Sequence, residues 1–109
     1  FPIYRSEDGG LTWDHISDVA DTHFGFGNRY QPVLYELPED FGGLPRGTVL
    51  LAGSAIPADA SSTNLVLYAS TDGGYTWSFT SLVDTGGPAL YDWRSTATTT
   101  AIWEPDLLL

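Results

Sequence analysis

The 109-residue chain contains no cysteine, no methionine and no lysine. Without cysteine, neither a disulfide nor a thiolate-bound metal can form. Its basic residues are four arginines set against fourteen acids, a formal net charge of -10. A surface that reads phosphate backbones or anionic headgroups needs the opposite sign, so no nucleic-acid or membrane partner is expected. No apolar run approaches the ~20 residues that a membrane-spanning helix needs. The composition suits a protein acting on neutral polymers. The chain opens on "FPIY", lacks any methionine and ends in "EPDLLL", so it is expected to be a piece of something longer.

What the chain does contain is β-strand. It is 42% hydrophobic and 14% aromatic, too apolar for disorder. No stretch keeps a 3.6-residue period long enough for a helix. Candidate strands cover residues 3–6, 12–16, 31–37, 48–53, 64–70, 76–83 and 102–109. The segments "ELPEDFGGLPRGT" and "SAIPADASST" have loop composition. "NLVLYAS-TDGG-YTWSFTSLV" reads as a hairpin closed by an Asp-Gly-Gly turn.

One device occurs twice. "YRSEDGGLTWDHIS" at residues 4–17 and "YASTDGGYTWSFTS" at residues 68–81 both fit Ser-x-Asp-x-Gly-x-Thr-Trp, with Asp8 and Asp72 standing 64 positions apart. A second echo follows each: "YQPVLYEL" and "WEPDLLL" align as aromatic-polar-Pro, pairing Gln31 with Glu104. The repeating unit is therefore four strands in ~60–70 residues, the pattern of β-propeller blades. On this reading the fold is all-β and the chain holds about one and a half to two blades of four-stranded antiparallel sheet. Residues 1–17 are the outer hairpin of one blade, 30–84 one complete blade, and 101–109 the innermost strand of the next.

The motif has a physical logic. The aspartate in the turn accepts hydrogen bonds from nearby backbone amides, and the glycines supply positive φ. The tryptophan just beyond can bury its ring between neighbouring sheets. Ser6, Asp8, Gly10 and Trp13, with Ser70, Asp72, Gly74 and Trp77, are accordingly read as structural. A calcium loop would need several oxygen side chains where only one aspartate recurs. His23 lacks partners for a metal, so no metal or other cofactor is expected.

Ser-x-Asp-x-Gly-x-Thr-Trp resembles the Asp-box, or BNR repeat, of sialidases and related propellers. A longer stretch, from "QPVLYELPEDFGG" through "YASTDGGYTW" to "IWEPDLLL", is similar to glycoside hydrolase family 93, the secreted exo-α-1,5-L-arabinanases. That resemblance implies a six-bladed sialidase-like propeller that trims plant cell-wall arabinan from its ends and is secreted. It implies a pair of catalytic glutamates near the central channel, one of them at Glu104, with the second outside this chain. The remaining blades of the same protein would then be its structural partners. Glycosidases of this kind work through two carboxyls, ~5–5.5 Å apart for retention of configuration and ~6.5–9.5 Å for inversion; the resemblance implies retention.

Taken by itself, Glu104 sits between Trp103 and Pro105 on a candidate strand expected to be largely buried, where a carboxylate is costly unless hydrogen-bonded or functional. A structural glutamate paired with an arginine remains the alternative. Chain direction places "DVADTHFGFGNRY", "SAIPADASST" and "DTGGPALYDWRSTATTT" at one mouth of the channel, opposite the Asp turns. From these loops and the adjoining strands, His23, Asn28, Arg29, Gln31, Tyr91, Trp93, Arg94 and Trp103 are candidates for contacting a polysaccharide or oligosaccharide. A sialidase or other Asp-box glycosidase is a second reading, and a non-catalytic propeller binding glycan or protein a third.

Overall fold

The computed structural model describes residues 1–90 and 100–109. Two strands, β1 (Pro2–Arg5) and β2 (Asp14–Asp18), pair into an antiparallel hairpin. Four more, β3 (Asn28–Glu36), β4 (Val49–Ala55), β5 (Thr63–Ser70) and β6 (Ser78–Gly86), form an antiparallel sheet in the order β3-β4-β5-β6. The described residues include no helix. The architecture is a four-stranded up-and-down sheet, the form of a propeller blade, with a two-stranded hairpin beside it.

Strand alternation explains how the sheet is covered on both faces. The register pairs Leu51 with Tyr68 and Leu50 with Ala69, so each pair shares a face. Leu51, Val66 and Tyr68 look toward the hairpin, where Ile3 and Val19 complete a core flanked by Phe1, Ile16, Phe24, Trp77 and Phe79. On the other face Leu50 and Ala69 pack with Tyr35, Leu67 and Leu107. Leu51 and Val66 are fully buried, each contributing about 1.5–3 kcal/mol relative to exposure. Central β4 is buried almost throughout, whereas edge strand β3 is largely exposed.

Residues 101–109 depart from expectation. They form no strand, although Leu107 packs on the sheet as a next blade would. A strand exists only through a ladder to a neighbour, and none of the described residues runs alongside this segment.

Both Asp turns join consecutive antiparallel strands, β1 to β2 and β5 to β6, and their bonding is the same. Asp72 Oδ1 accepts from the amides of Tyr75 (3.1 Å) and Thr76 (2.9 Å) and from the Ser70 hydroxyl (2.8 Å). Its Oδ2 accepts from Thr76 Oγ1 at 2.6 Å. Asp8 repeats this with Leu11, Thr12 and Ser6. Gly10 and Gly74 take φ of 93° and 95°, a region that side chains resist. The Thr12 and Thr76 hydroxyls, followed by their amides and the serine hydroxyls, hold both carboxyls down to about 2 from an ordinary 3.8. Their oxygens are committed to closing the turn.

Candidate functional site

Three connections gather at the end of the sheet opposite the Asp turns. The Ile56 amide donates to the Gly27 carbonyl (3.3 Å) and the Ala89 amide to the Ala60 carbonyl (2.9 Å), tying the β2–β3, β4–β5 and post-β6 segments together. Asp21 organises the first of them. Its two oxygens accept from the amides of His23, Phe24, Phe26 and Gly27. Burial opposes ionisation there, but the four backbone bonds outweigh it and hold the Asp21 carboxyl below its ordinary value.

The segment carrying Glu104 is pinned to the same end. Thr63, buried at the start of β5, donates its hydroxyl to the Gly87 carbonyl (3.1 Å) and accepts the Ile102 amide (3.0 Å). The Gly87 amide donates to the Thr100 carbonyl at 2.9 Å. Closeness of this kind requires glycine: a Cβ on Gly86 would lie 2.6 Å from the Thr100 carbonyl oxygen and 2.9 Å from the Ile102 nitrogen.

Opposite that segment, β3 breaks its own ladder. Arg29 pairs with Ser54 and Val33 with Ala52, so Tyr30, Gln31 and Pro32 stand across from Gly53 alone. Pro32 has no amide to lose, which makes a bulge on an edge strand a natural place for it. Tyr30 and Gln31 both take left-handed backbone, with φ of 63° and 51°, and Glu104 does the same at 55°. Such conformations cost side-chain-bearing residues about 1–3 kcal/mol each and concentrate at functional sites. They hold the two aromatic-polar-Pro segments off any regular ladder.

Between these segments lies a pocket of about 650 Å³ lined by Tyr30, Gln31, Leu90, Trp103 and Glu104. Gln31 Nε2 donates to Glu104 Oε1 at 3.2 Å, and the Glu104 amide donates to Gln31 Oε1 at 3.3 Å. Glu104 is exposed to the pocket, not buried as its setting between tryptophan and proline suggested. Among the described residues its side-chain partner is a carboxamide and not an arginine. One carboxylate, one carboxamide and two aromatic rings suit a neutral, hydroxyl-rich ligand: rings stack on sugar faces and the polar pair reaches hydroxyls.

The expected contact residues divide. Glu104, Gln31 and Trp103 converge on the pocket. His23 instead stacks on Phe79, with centroids 4.2 Å apart and planes at 1°, and lies edge-on to Phe24 at 4.4 Å. Its imidazole extends the inter-sheet aromatic cluster. Asn28 donates its amide to the Val19 carbonyl at 3.0 Å, fastening the loop before β3. Arg29 is exposed in the ladder opposite Ser54 and does not line the pocket. Tyr91, Trp93 and Arg94 lie outside the described residues. Tyr30 and Leu90 were missed; for Tyr30 the signal was its alignment with Trp103 in the aromatic-polar-Pro echo.

No family model and no curated protein sequence matches the chain. Solved structures do. A Penicillium chrysogenum α-L-arabinanase complexed with arabinobiose is 56% identical, with a TM-score of 0.91, over 99% of this chain and 30% of that one. A GH93 α-L-arabinofuranosidase of Fusarium graminearum, in complex with arabinobiose, is 58% identical with a TM-score of 0.80 over 82% of this chain and 25% of that one. The same figures hold for a Fusarium graminearum α-L-arabinofuranosidase bound to an iminosugar inhibitor. The chain thus spans 25–30% of the length of these enzymes.

Proposed function

The chain belongs to glycoside hydrolase family 93, and from that premise we propose that the full-length protein is a secreted hydrolase releasing arabinose oligosaccharide from the ends of plant cell-wall arabinan. Glu104 is one of two reacting carboxyls, and the second comes from another blade. Hydrolysis then passes through an oxocarbenium-like transition state between them. Tyr30 and Trp103 offer ring faces to the furanose units. The two Ser-x-Asp-x-Gly-x-Thr-Trp turns are Asp-boxes, which tie each outer hairpin closed and take no part in the chemistry.

The observation that carries this reading is the position of Glu104. It lines a pocket together with Tyr30, Gln31, Leu90 and Trp103, on left-handed backbone. The arabinobiose complexes of the two similar enzymes support an arabinan-derived ligand.

The test is Glu104→Gln in the full-length protein, which keeps size and hydrogen bonding while removing the charge. Turnover of linear arabinan is expected to fall by about 10²–10⁴-fold, with arabinobiose binding preserved in calorimetry. Unchanged hydrolysis would remove Glu104 from the mechanism and return the pocket to a binding role.

A further inference from the structure

We propose that Gln31 is a positioning residue for Glu104, a reciprocal clamp that orients both its peptide and its carboxylate. The inference rests on the reading of Glu104 as a reacting carboxyl and adds a residue that acts through it. The carboxamide accepts from the Glu104 amide at 3.3 Å and donates to Glu104 Oε1 at 3.2 Å. A primary amide carries its donor and its acceptor on separate atoms of one planar group, so it can reach both partners at once. The two bonds also fix which way the amide faces, since turning it over would set like against like at both ends.

Backbone geometry explains why the clamp is needed. Glu104 takes φ of 55°, outside the range of a regular strand, and among the described residues no strand pairs with it. Gln31 supplies the acceptor from 73 residues away. It can do so because Tyr30, Gln31 and Pro32 are lifted out of the β3–β4 ladder, leaving the Gln31 side chain free of strand alternation. The bulge on one blade thus serves the carboxylate of the next. Nε2 engages one carboxylate oxygen and leaves the other for the reaction.

Two variants of the full-length enzyme test this, with Glu104→Gln measured alongside. Gln31→Met removes both bonds at similar length. Its kcat on linear arabinan is expected to fall about 10- to 100-fold, the loss associated with a hydrogen bond to a charged group, while KM changes less than about threefold. Gln31→Glu keeps the acceptor but sets a second carboxylate beside the first. Each then disfavours the other's ionisation, so the limb of the kcat/KM profile that reports Glu104 moves up by about one pH unit. The acid limb moves if Glu104 reacts ionised, the basic limb if it reacts protonated. Should Gln31→Met fail to fold, judged by its melting curve, the near-isosteric Gln31→Glu decides alone. A profile that does not move, with Glu104→Gln inactive, overturns the clamp and leaves the catalytic reading standing. A rise in KM at constant kcat also overturns it, making Gln31 a substrate contact. An active Glu104→Gln removes the premise itself.

Discussion

The Trp77 indole N–H donates to the Ser17 hydroxyl at 3.1 Å, joining the turn after β5 to strand β2 of the neighbouring hairpin. Ser17 passes the bond on, donating to the Gly74 carbonyl, which also accepts from the indole at 3.0 Å. Three groups thus close a small ring across the gap between two sheets. Trp77 therefore ties its own turn shut and also docks the four-stranded sheet on the hairpin, whereas Trp13, 61% exposed, closes only its own turn among the described residues. The ring adds apolar area to the core shared by Ile3, Val66 and Tyr68. The contact is a matter of stability and not of chemistry, because it lies at the mouth opposite the pocket.

Trp77→Phe in the full-length protein retains a ring but not the donor, and is expected to cost about 1 kcal/mol. Trp77→Ala should cost about 2–3 kcal/mol, below the ~3–5 of a wholly buried aromatic, since this ring is only half-buried. Denaturant unfolding measures both. Equal losses for the two variants would mean that packing contributes nothing and would contradict the shared core.

The Asp turns make a prediction in pH. Asp8 and Asp72 are held near 2, below their ordinary 3.8. A carboxyl whose folded-state pKa is depressed stabilises the fold above its unfolded value, and that contribution is lost as pH falls through the folded value. Melting temperature should therefore drop between about pH 4 and pH 2, and Asp72→Asn should flatten that fall while lowering the plateau above it. Unaltered steepness in the variant would show that other carboxyls govern acid unfolding.

Gly86 should prove as demanding as any pocket residue. Its position against Thr100, Ile102 and Thr63 leaves no room for a methyl group, so Gly86→Ala must push the 100–104 segment away from β5. The expected cost is about 1–3 kcal/mol of stability, together with a loss of activity larger than the stability change explains, because the displaced segment carries Glu104. A crystal structure of the variant with the Ile102–Thr63 bond intact would refute the account.

Much of this was legible beforehand, for physical reasons. The six strands start and end within about three residues of their expected places, because alternating apolar runs and Asp-Gly-Gly turns are local signals. The pairing of Gln31 with Glu104 was visible in the echo of "YQP" and "WEP". Their left-handed backbone was not, since aromatic-polar-Pro is compatible with a plain strand and only the neighbouring segments impose the bulge. His23 looked like a sugar donor because its stacking partner, Phe79, is far away in sequence. Asp21 could have been found: an aspartate ahead of "THFGFG" is the composition of a loop folded around one carboxylate.

The last prediction concerns the 109-residue chain on its own, which is expected to self-associate and to lack hydrolytic activity. Its radius of gyration is 15.3 Å, against about 13 Å for a compact domain of this length. Among the described residues the outer edges of β3 and β6 have no strand partner, and unpaired edges recruit other chains. Leu34, Leu82 and Val83 on those two strands stay exposed, adding apolar surface to each edge. Activity should be absent because the described lining of the pocket holds a single carboxylate, Glu104, where this class of hydrolysis needs two. Sedimentation velocity should show oligomers, and calorimetry a broad transition. A monomer melting sharply and cooperatively would mean that one blade and a hairpin carry a sufficient core, and that the neighbouring blades are dispensable for folding.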